Sequence, residues 1–292
     1  MKKYILSLLT AALLTSCADK LEVTPPNSIT DEQIRELLAS GNEASIKLVL
    51  GSMANSMPLL FNFAGINGSG SADVYYSNQG LDVMRTLEGN DVVLGDGNGI
   101  SGVSGSTEYQ FGNFISSAVD KNAAYWYYAW NSVNAANKML NFLDDKTVGN
   151  STYLKDYKAR GLVVRAYAYN YLMENYQDAY LQGGNGKLGI MLYDSYAPTQ
   201  ASRPRATATE TYDFIKNDLK SAIKLFEEAN IGFTNDVSDI DLGVANFLLA
   251  RASVWSGDWA TANAAYCKRK IMVVKIQEQK KIQFYFQKQT VS

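Results

Sequence analysis

One stretch limits what this chain can fold into: Tyr153 to Leu181, YLKDYKARGLVVRAYAYNYLMENYQDAYL. It is long, apolar and rich in tyrosine, and it contains no proline. Tyr153, Tyr157, Val164, Tyr167, Tyr171 and Met173 recur at steps of mostly three or four, which makes one side of a helix apolar. Leu162, Val163, Ala166 and Tyr169 carry apolarity round to the other side. A helix apolar almost all round sits between other helices, so the chain is expected to be mainly α. Arg160 and Arg165 fall within this stretch, with Glu174 further along. A buried guanidinium needs acidic or carbonyl partners, so these residues are expected to tie helices together rather than to catalyse.

The neighbouring segments support helical layers. Trp126, Trp130, Val133, Asn137, Leu140 and Leu143 follow one another at helical steps from about Asp120. Asp144 and Asp145 oppose the helix dipole at its C-terminal end, so that helix is expected to stop there. Gly149-Asn150-Ser151 then turns the chain. Two long helices joined this tightly must lie antiparallel. Thr30 to Gln33 and Thr207 to Glu210 read as capping boxes. Asn42 caps a helix striped by Ile46, Val49, Leu50, Met53 and Met57, the second arm of a helical hairpin. Tyr212, Ile215, Leu219, Ala222 and Phe226 stripe the helix after Thr207. Asp241 is placed to cap a helix striped by Leu242, Phe247, Leu248, Ala250 or Arg251, Val254 and Trp255, and Trp259, Ala262 and Tyr266 open another. Gly189 to Ala197 reads as extended.

Between Leu59 and Asn113 the composition turns to Gly, Ser and Asn. A short helix is expected near Leu81 to Leu87 and loop elsewhere; loops this long in a domain usually serve function. Gly97 to Gly102 formally spells G-x-G-x-x-G, but more Gly and Ser follow where a helix must begin to face a pyrophosphate, so the loop reading prevails. Tyr75, Tyr76, Tyr109, Phe111 and Asn113 lie in or beside these loops. Their rings could stack on sugar or peptide, or could pin the loops to the helices; the sequence leaves both readings open.

The chain has no histidine, so it cannot build a His-ligated zinc, a Ser-His-Asp triad or a Cys-His pair by itself. No carboxylate pair stands out for glycoside hydrolysis, and no catalytic residue is nominated. Asn235, Asp236, Asp239 and Asp241 form an oxygen-rich run that could hold calcium, but capping and solvation account for it more simply. Residues 17–266 carry 18 Lys+Arg against 28 Asp+Glu, an acidic body that disfavours nucleic acid as a partner.

Met1 to Cys17, MKKYILSLLTAALLTSC, has a Lys2-Lys3 n-region and an apolar core too short to span a bilayer. Leu14-Thr15-Ser16-Cys17 resembles the bacterial lipobox, which implies cleavage after residue 16 and lipid on Cys17. Residues 17–29, with Pro25-Pro26, read as a lipidated tether. At the other end, 267–292 is a basic, Lys/Gln/Ile-rich tail without a clean stripe, and a slipped reading frame after about Tyr266 is the preferred account of it.

The lipobox, DVYY (Asp73 to Tyr76), LEGNDVVL, WYYAWNSVNAANKMLNFL (Trp126 to Leu143), the long tyrosine helix, RATATETYDFIKNDLKSAIKLF and ANFLLARASVWSGDWATANAAY occur in an order that resembles the N-terminal half of SusD/RagB-type outer-membrane lipoproteins. The likeness covers about residues 1–266; Gln177 stands where that family often has glycine, and its members are considerably longer. The resemblance implies a tetratricopeptide-like helical scaffold over 30–266 with long loops. It also implies a non-catalytic, surface-exposed, lipid-anchored outer-membrane protein. Such a protein captures oligosaccharide, or in RagB-like members peptide, for a TonB-dependent SusC-like transporter. A protein–protein scaffold at the membrane is the alternative, and no cofactor is implied.

Overall fold

The computed structural model describes residues 29–57, 86, 120–197, 201–234, 236 and 239–269, with side chains beginning at 126 in the second long stretch. Residues 1–28 with Cys17, 58–85, 87–119 and 270–292 lie outside the described residues, and with them the expected signal segment, nearly all of the expected tether and nearly all of the Gly-rich stretch from 59 to 113. The described residues are mainly helical and contain no strand, only an isolated antiparallel bridge between Leu188 and Thr207.

The chain divides into two compact units between Ile46 and Lys47, inside the second helix. In the first unit, α1 (Asp31–Ser40) opens with the expected capping box. The Thr30 hydroxyl accepts from the Gln33 N–H at 3.2 Å, and Gln33 Oε1 accepts from the Thr30 N–H at 3.0 Å. Gly41, at φ 68°, ends α1 in a left-handed conformation that costs glycine nothing. Asn42 Oδ1 then accepts from the Ser45 N–H at 3.2 Å at the start of α2 (Glu43–Ser56).

The second unit is built on three helices: α3 (Asp120–Leu140), α5 (Thr152–Tyr176) and α6 (Ala208–Glu228). Against α3, the ring pairs Trp126–Tyr176, Tyr128–Tyr171 and Trp130–Tyr169 descend on one helix as they rise on the other, and Gly161 lies against Met139 and Leu140. The two helices are therefore antiparallel. Against α6 the same reading holds: Lys155–Glu228, Arg165–Asp218 and Tyr169–Phe214 fix an antiparallel register. The long helix lies between two neighbours, as its all-round apolarity requires, and Leu162, Val163, Val164, Ala166, Ala168, Tyr169 and Leu172 are buried. It ends at Tyr176, and the rest of the predicted stretch forms a link and a 3-10 turn, Tyr180–Gln182.

Two expectations are corrected. Asp144 does not oppose a helix C-terminus. α3 ends at Leu140, and Asp144 Oδ1 accepts from the Thr147 N–H at 2.7 Å as the N-cap of a separate short helix, α4 (Asp145–Val148). That hydrogen bond holds the Asp144 carboxyl below the usual carboxylate range. In α7 (Leu242–Trp255), packed chiefly on α6, the buried side is Ala245, Leu248, Leu249 and Ala252, while Phe247, Val254 and Trp255 face outward. Residues 259–269 form a further helix, α8, the last among the described residues, capped by Asp258 at the Thr261 N–H (3.2 Å).

Asp241 caps α7 as expected, its Oδ1 accepting from the Val244 N–H at 2.9 Å. Its Oδ2 also accepts from the Thr234 N–H at 2.8 Å, closing the α6–α7 connection. Asp239 pairs with Arg160. Of the acids weighed for calcium, these two carboxylates are thus already committed. Asp241→Ala should lower stability by about 2 kcal/mol, from a lost cap and an exposed connection, and Asp241→Asn should recover most of it. The urea midpoint at constant m-value is the measurement, and equal midpoints for the Ala and wild-type proteins would contradict the assignment.

Candidate functional site

The loop residues nominated from sequence, Tyr75, Tyr76, Tyr109, Phe111 and Asn113, lie outside the described residues, as does Cys17. The described residues show a helical scaffold tied by buried ion pairs and a cleft that the sequence did not announce.

The scaffold is organised on Arg165. Its Nε and Nη2 donate to the two oxygens of Asp218 on α6 at 2.7 and 2.8 Å. Its Nη1 donates to Asn137 Oδ1 on α3 at 2.9 Å and to the Asp194 carbonyl at 3.0 Å. The guanidinium also lies over the Phe214 ring, 5.0 Å from its centroid. Burial pushes the Asp218 carboxyl up, and Arg165 pulls it back. Glu174 plays the acid in a second tie, receiving Arg251 of α7 at 2.9 and 2.7 Å.

These ties hold the extended segment that the sequence predicted. Asn137 Nδ2 donates to the Tyr193 carbonyl at 2.8 Å. The Tyr169 hydroxyl accepts from the Tyr193 N–H at 2.7 Å and donates to its carbonyl at 3.1 Å. The Tyr193 ring packs edge-on against Trp130 and under Arg203. Burial pushes the Tyr169 phenol well above its ordinary value, so it remains a neutral donor.

At the end of α5 this arrangement leaves a cleft of about 670 Å³, lined by Asn175, Tyr176, Gln177, Lys187, Arg205 and Thr207 among others. Three chain segments make it. The α5 end brings Asn175 to Asp178, the 3-10 turn Gly184–Gly186 leads into Lys187 and Leu188, and the approach to α6 brings Arg205 and Thr207. Gly184 and Gly189 permit the close approach. A Cβ at Gly184 would stand 2.2 Å from the Asp178 carbonyl, and one at Gly189 would stand 2.2 Å from Thr211 Oγ1 and 2.8 Å from the Thr207 carbonyl.

The cleft walls are held by their own hydrogen bonds. Arg205 donates to the Gly189 and Leu188 carbonyls at 2.6 and 2.8 Å and to Gln177 Oε1 at 3.3 Å. Lys187 pairs with Asp178 at the rim. Tyr176 gives the cleft an aromatic side, its ring edge-on to Trp126 at 5.1 Å. Carboxamides, an ion pair, a guanidinium and a tyrosine ring in an open polar cleft suit hydrogen bonding to a hydroxyl-rich ligand. Asp178, the one carboxylate of the lining, is paired with Lys187, and the Thr207 hydroxyl donates to Glu210 Oε2 at 2.8 Å within the capping box of α6. Among the described residues no group of three acidic, His or Cys side chains could hold a metal, and no helix is long and apolar enough to cross a membrane.

A SusD-like family model, described as starch-binding and associating with the outer membrane, matches residues 74–231. Among solved structures, a SusD superfamily protein from Bacteroides vulgatus ATCC 8482 superposes with a TM-score of 0.60 at 19% identity, over 80% of this chain and 47% of that one. A SusD-like carbohydrate binding protein from the same organism gives 0.55 at 22% identity, over 77% and 44%. A laminarin binding SusD-like protein gives 0.53 at 18%, over 77% and 42%. At these identities the likeness is one of fold, and the chain spans less than half the length of each of these structures. None of the curated proteins matches the sequence.

Proposed function

This chain belongs to the SusD-like family, described as starch-binding and associating with the outer membrane, and from that premise we propose that it is a lipid-anchored, cell-surface glycan-binding protein that passes oligosaccharide to a TonB-dependent, SusC-like transporter. The observation that carries the reading is the family match, which spans the loop segment with Tyr75, Tyr76, Tyr109, Phe111 and Asn113 and continues through α3, α5 and α6. In this reading Cys17 carries the lipid. The loop rings stack on sugar faces, and the cleft at the end of α5 adds hydrogen bonds from Gln177 and Lys187.

Affinity electrophoresis of the full chain against starch, laminarin and other polysaccharides tests the proposal. Retardation by at least one glycan is expected. Tyr109→Ala should weaken binding about tenfold, the loss of about 1.4 kcal/mol of ring stacking. Lys187→Ala, at the cleft rim, should weaken it less. Absence of binding to any glycan, together with unchanged growth on all of them after gene deletion, would overturn the reading.

A further inference from the structure

The cleft at the end of α5 carries one positive charge more than it neutralises. Its lining holds two cations, Lys187 and Arg205, and one acid, Asp178. Lys187 and Asp178 pair with each other, so the surplus charge is that of Arg205. Arg160, Arg165, Arg203 and Arg251 each reach a carboxylate, whereas Arg205 reaches none among the described residues. Its acceptors are all neutral: the Gly189 carbonyl at 2.6 Å, the Leu188 carbonyl at 2.8 Å and Gln177 Oε1 at 3.3 Å. These occupy Nε and Nη2. Nη1, the remaining arm of a fixed planar fork, has no acceptor among the described residues. Gln177 is itself held, its Nε2 donating to the Gly184 carbonyl at 3.3 Å. The guanidinium is therefore oriented before any ligand arrives, by dipoles that fix its direction without cancelling its charge. Glu210, at the start of α6, does not supply the missing acid, because its Oε2 accepts from the N–H and the hydroxyl of Thr207, both at 2.8 Å.

We infer that this cleft selects glycans bearing an anionic group, a uronate carboxylate or a sulfate ester, and that Arg205 is the residue that receives it. An anion accepting from Nη1 makes a charge-assisted hydrogen bond, roughly twice as strong as the neutral bond a sugar hydroxyl would make there. No side chain has to surrender a partner for it. Room exists beside Lys187, since a Cβ at Gly186 would meet nothing within 4 Å. The Tyr176 ring in the same lining offers an apolar face to the sugar that carries the charge. The surplus is local: residues 17–266 carry 18 Lys+Arg against 28 Asp+Glu. The general field of the protein therefore does not gather polyanions, and discrimination in their favour rests on this cleft. The inference rests on the glycan reading and narrows it.

Affinity electrophoresis of the full chain against glycan pairs that differ in charge tests it. The pairs are polygalacturonate and its methyl ester, alginate and its propylene glycol ester, and carrageenan and its desulfated galactan. The charged member of at least one pair should bind roughly tenfold tighter than its neutral partner, and the contrast should shrink at about 1 M salt, where screening acts beyond roughly 3 Å. A contrast in the first two pairs names a carboxylate as the anion and one in the third a sulfate ester; either supports the inference. Substitutions in the cleft should act with opposite signs. Arg205→Met should abolish the contrast. Asp178→Asn leaves Lys187 without its acid and should widen the contrast several-fold, a gain that damage to the cleft does not produce. Neutral glycans that bind as well as their charged partners overturn the inference and leave the glycan reading standing. If no glycan of either kind binds, both fall. A contrast that neither substitution changes places the anion elsewhere and overturns the assignment to Arg205.

Discussion

Replacing Arg165 with methionine should destabilise the fold by about 3–5 kcal/mol, the largest effect expected of a single substitution here. Methionine replaces the aliphatic stem but not the planar head, so a small cavity contributes. Most of the loss comes from leaving the Asp218 carboxylate buried, with 9% of its side chain exposed and without its cation. Asn137 and the Asp194 carbonyl lose their donor at the same time. The pH dependence separates this account from simple loss of packing. Without the guanidinium, burial first and the Asp194 charge after it both push the Asp218 carboxyl up, with nothing to oppose them. The folded variant then holds a proton more tightly than the unfolded chain, so its stability is highest below the unfolded carboxyl value and falls as pH rises through the folded one. The deficit relative to wild type should be largest at neutral pH and should shrink toward pH of about 4. Urea midpoints across that range are the measurement, and a deficit that does not vary with pH would show that Asp218 is not the stranded group.

Gly189→Ala should give the second largest effect, about 3 kcal/mol, at the upper end of what a single added methyl costs a closely packed site. The new Cβ would meet Thr211 Oγ1 and the Thr207 carbonyl, both at the start of α6. Thr211 Oγ1 could rotate, but it already donates to the Thr207 carbonyl at 2.8 Å and accepts from the Ile190 N–H at 3.3 Å. The segment must therefore move away from α6, and the Gly189 carbonyl leaves Arg205. Besides a lower melting temperature, amide exchange at Gly189, Ile190 and Ala206 should quicken by more than the global loss explains. Uniform exchange across 187–208 would show that the methyl is accommodated by a concerted shift and that the close approach is not limiting.

Much of the helical frame could be read from the sequence because its signals are local. Thr30, Asn42, Thr207 and Asp241 cap helices through side-chain oxygens that reach N–H groups three residues on, a contact that depends only on nearby backbone. The burial of Arg165 also followed from its place in an apolar helix. Its acid did not, because Asp218 lies 53 residues away on a helix whose partner is chosen by packing. α7 misled for a related reason. Apolar side chains lie on several of its sides, so spacing alone does not say which side faces α6, and Phe247, Val254 and Trp255 of the expected stripe lie outside. Asp144 reads as a poor helix end or as a good helix start according to where the chain turns, and here it turns before Asp144, at 141–142. The cleft had no signature at all: Asn, Gln, Lys and Arg in separate turns become neighbours only when three segments meet. The glycines at 183–186 marked a turn without telling what it would enclose.

The Arg165 joint has a consequence for how this protein can come apart. Its partners are drawn from positions 137, 194 and 218, on two other helices and an extended segment. No contiguous piece shorter than that span can satisfy the guanidinium. A partly opened molecule that releases α3 or α6 alone strands a charge or an amide in its interior, and such intermediates are penalised relative to both the intact and the fully unfolded chain. The span from α3 to α6 is therefore expected to open as one cooperative block, whose exchange-protected core rises and falls together instead of fraying helix by helix.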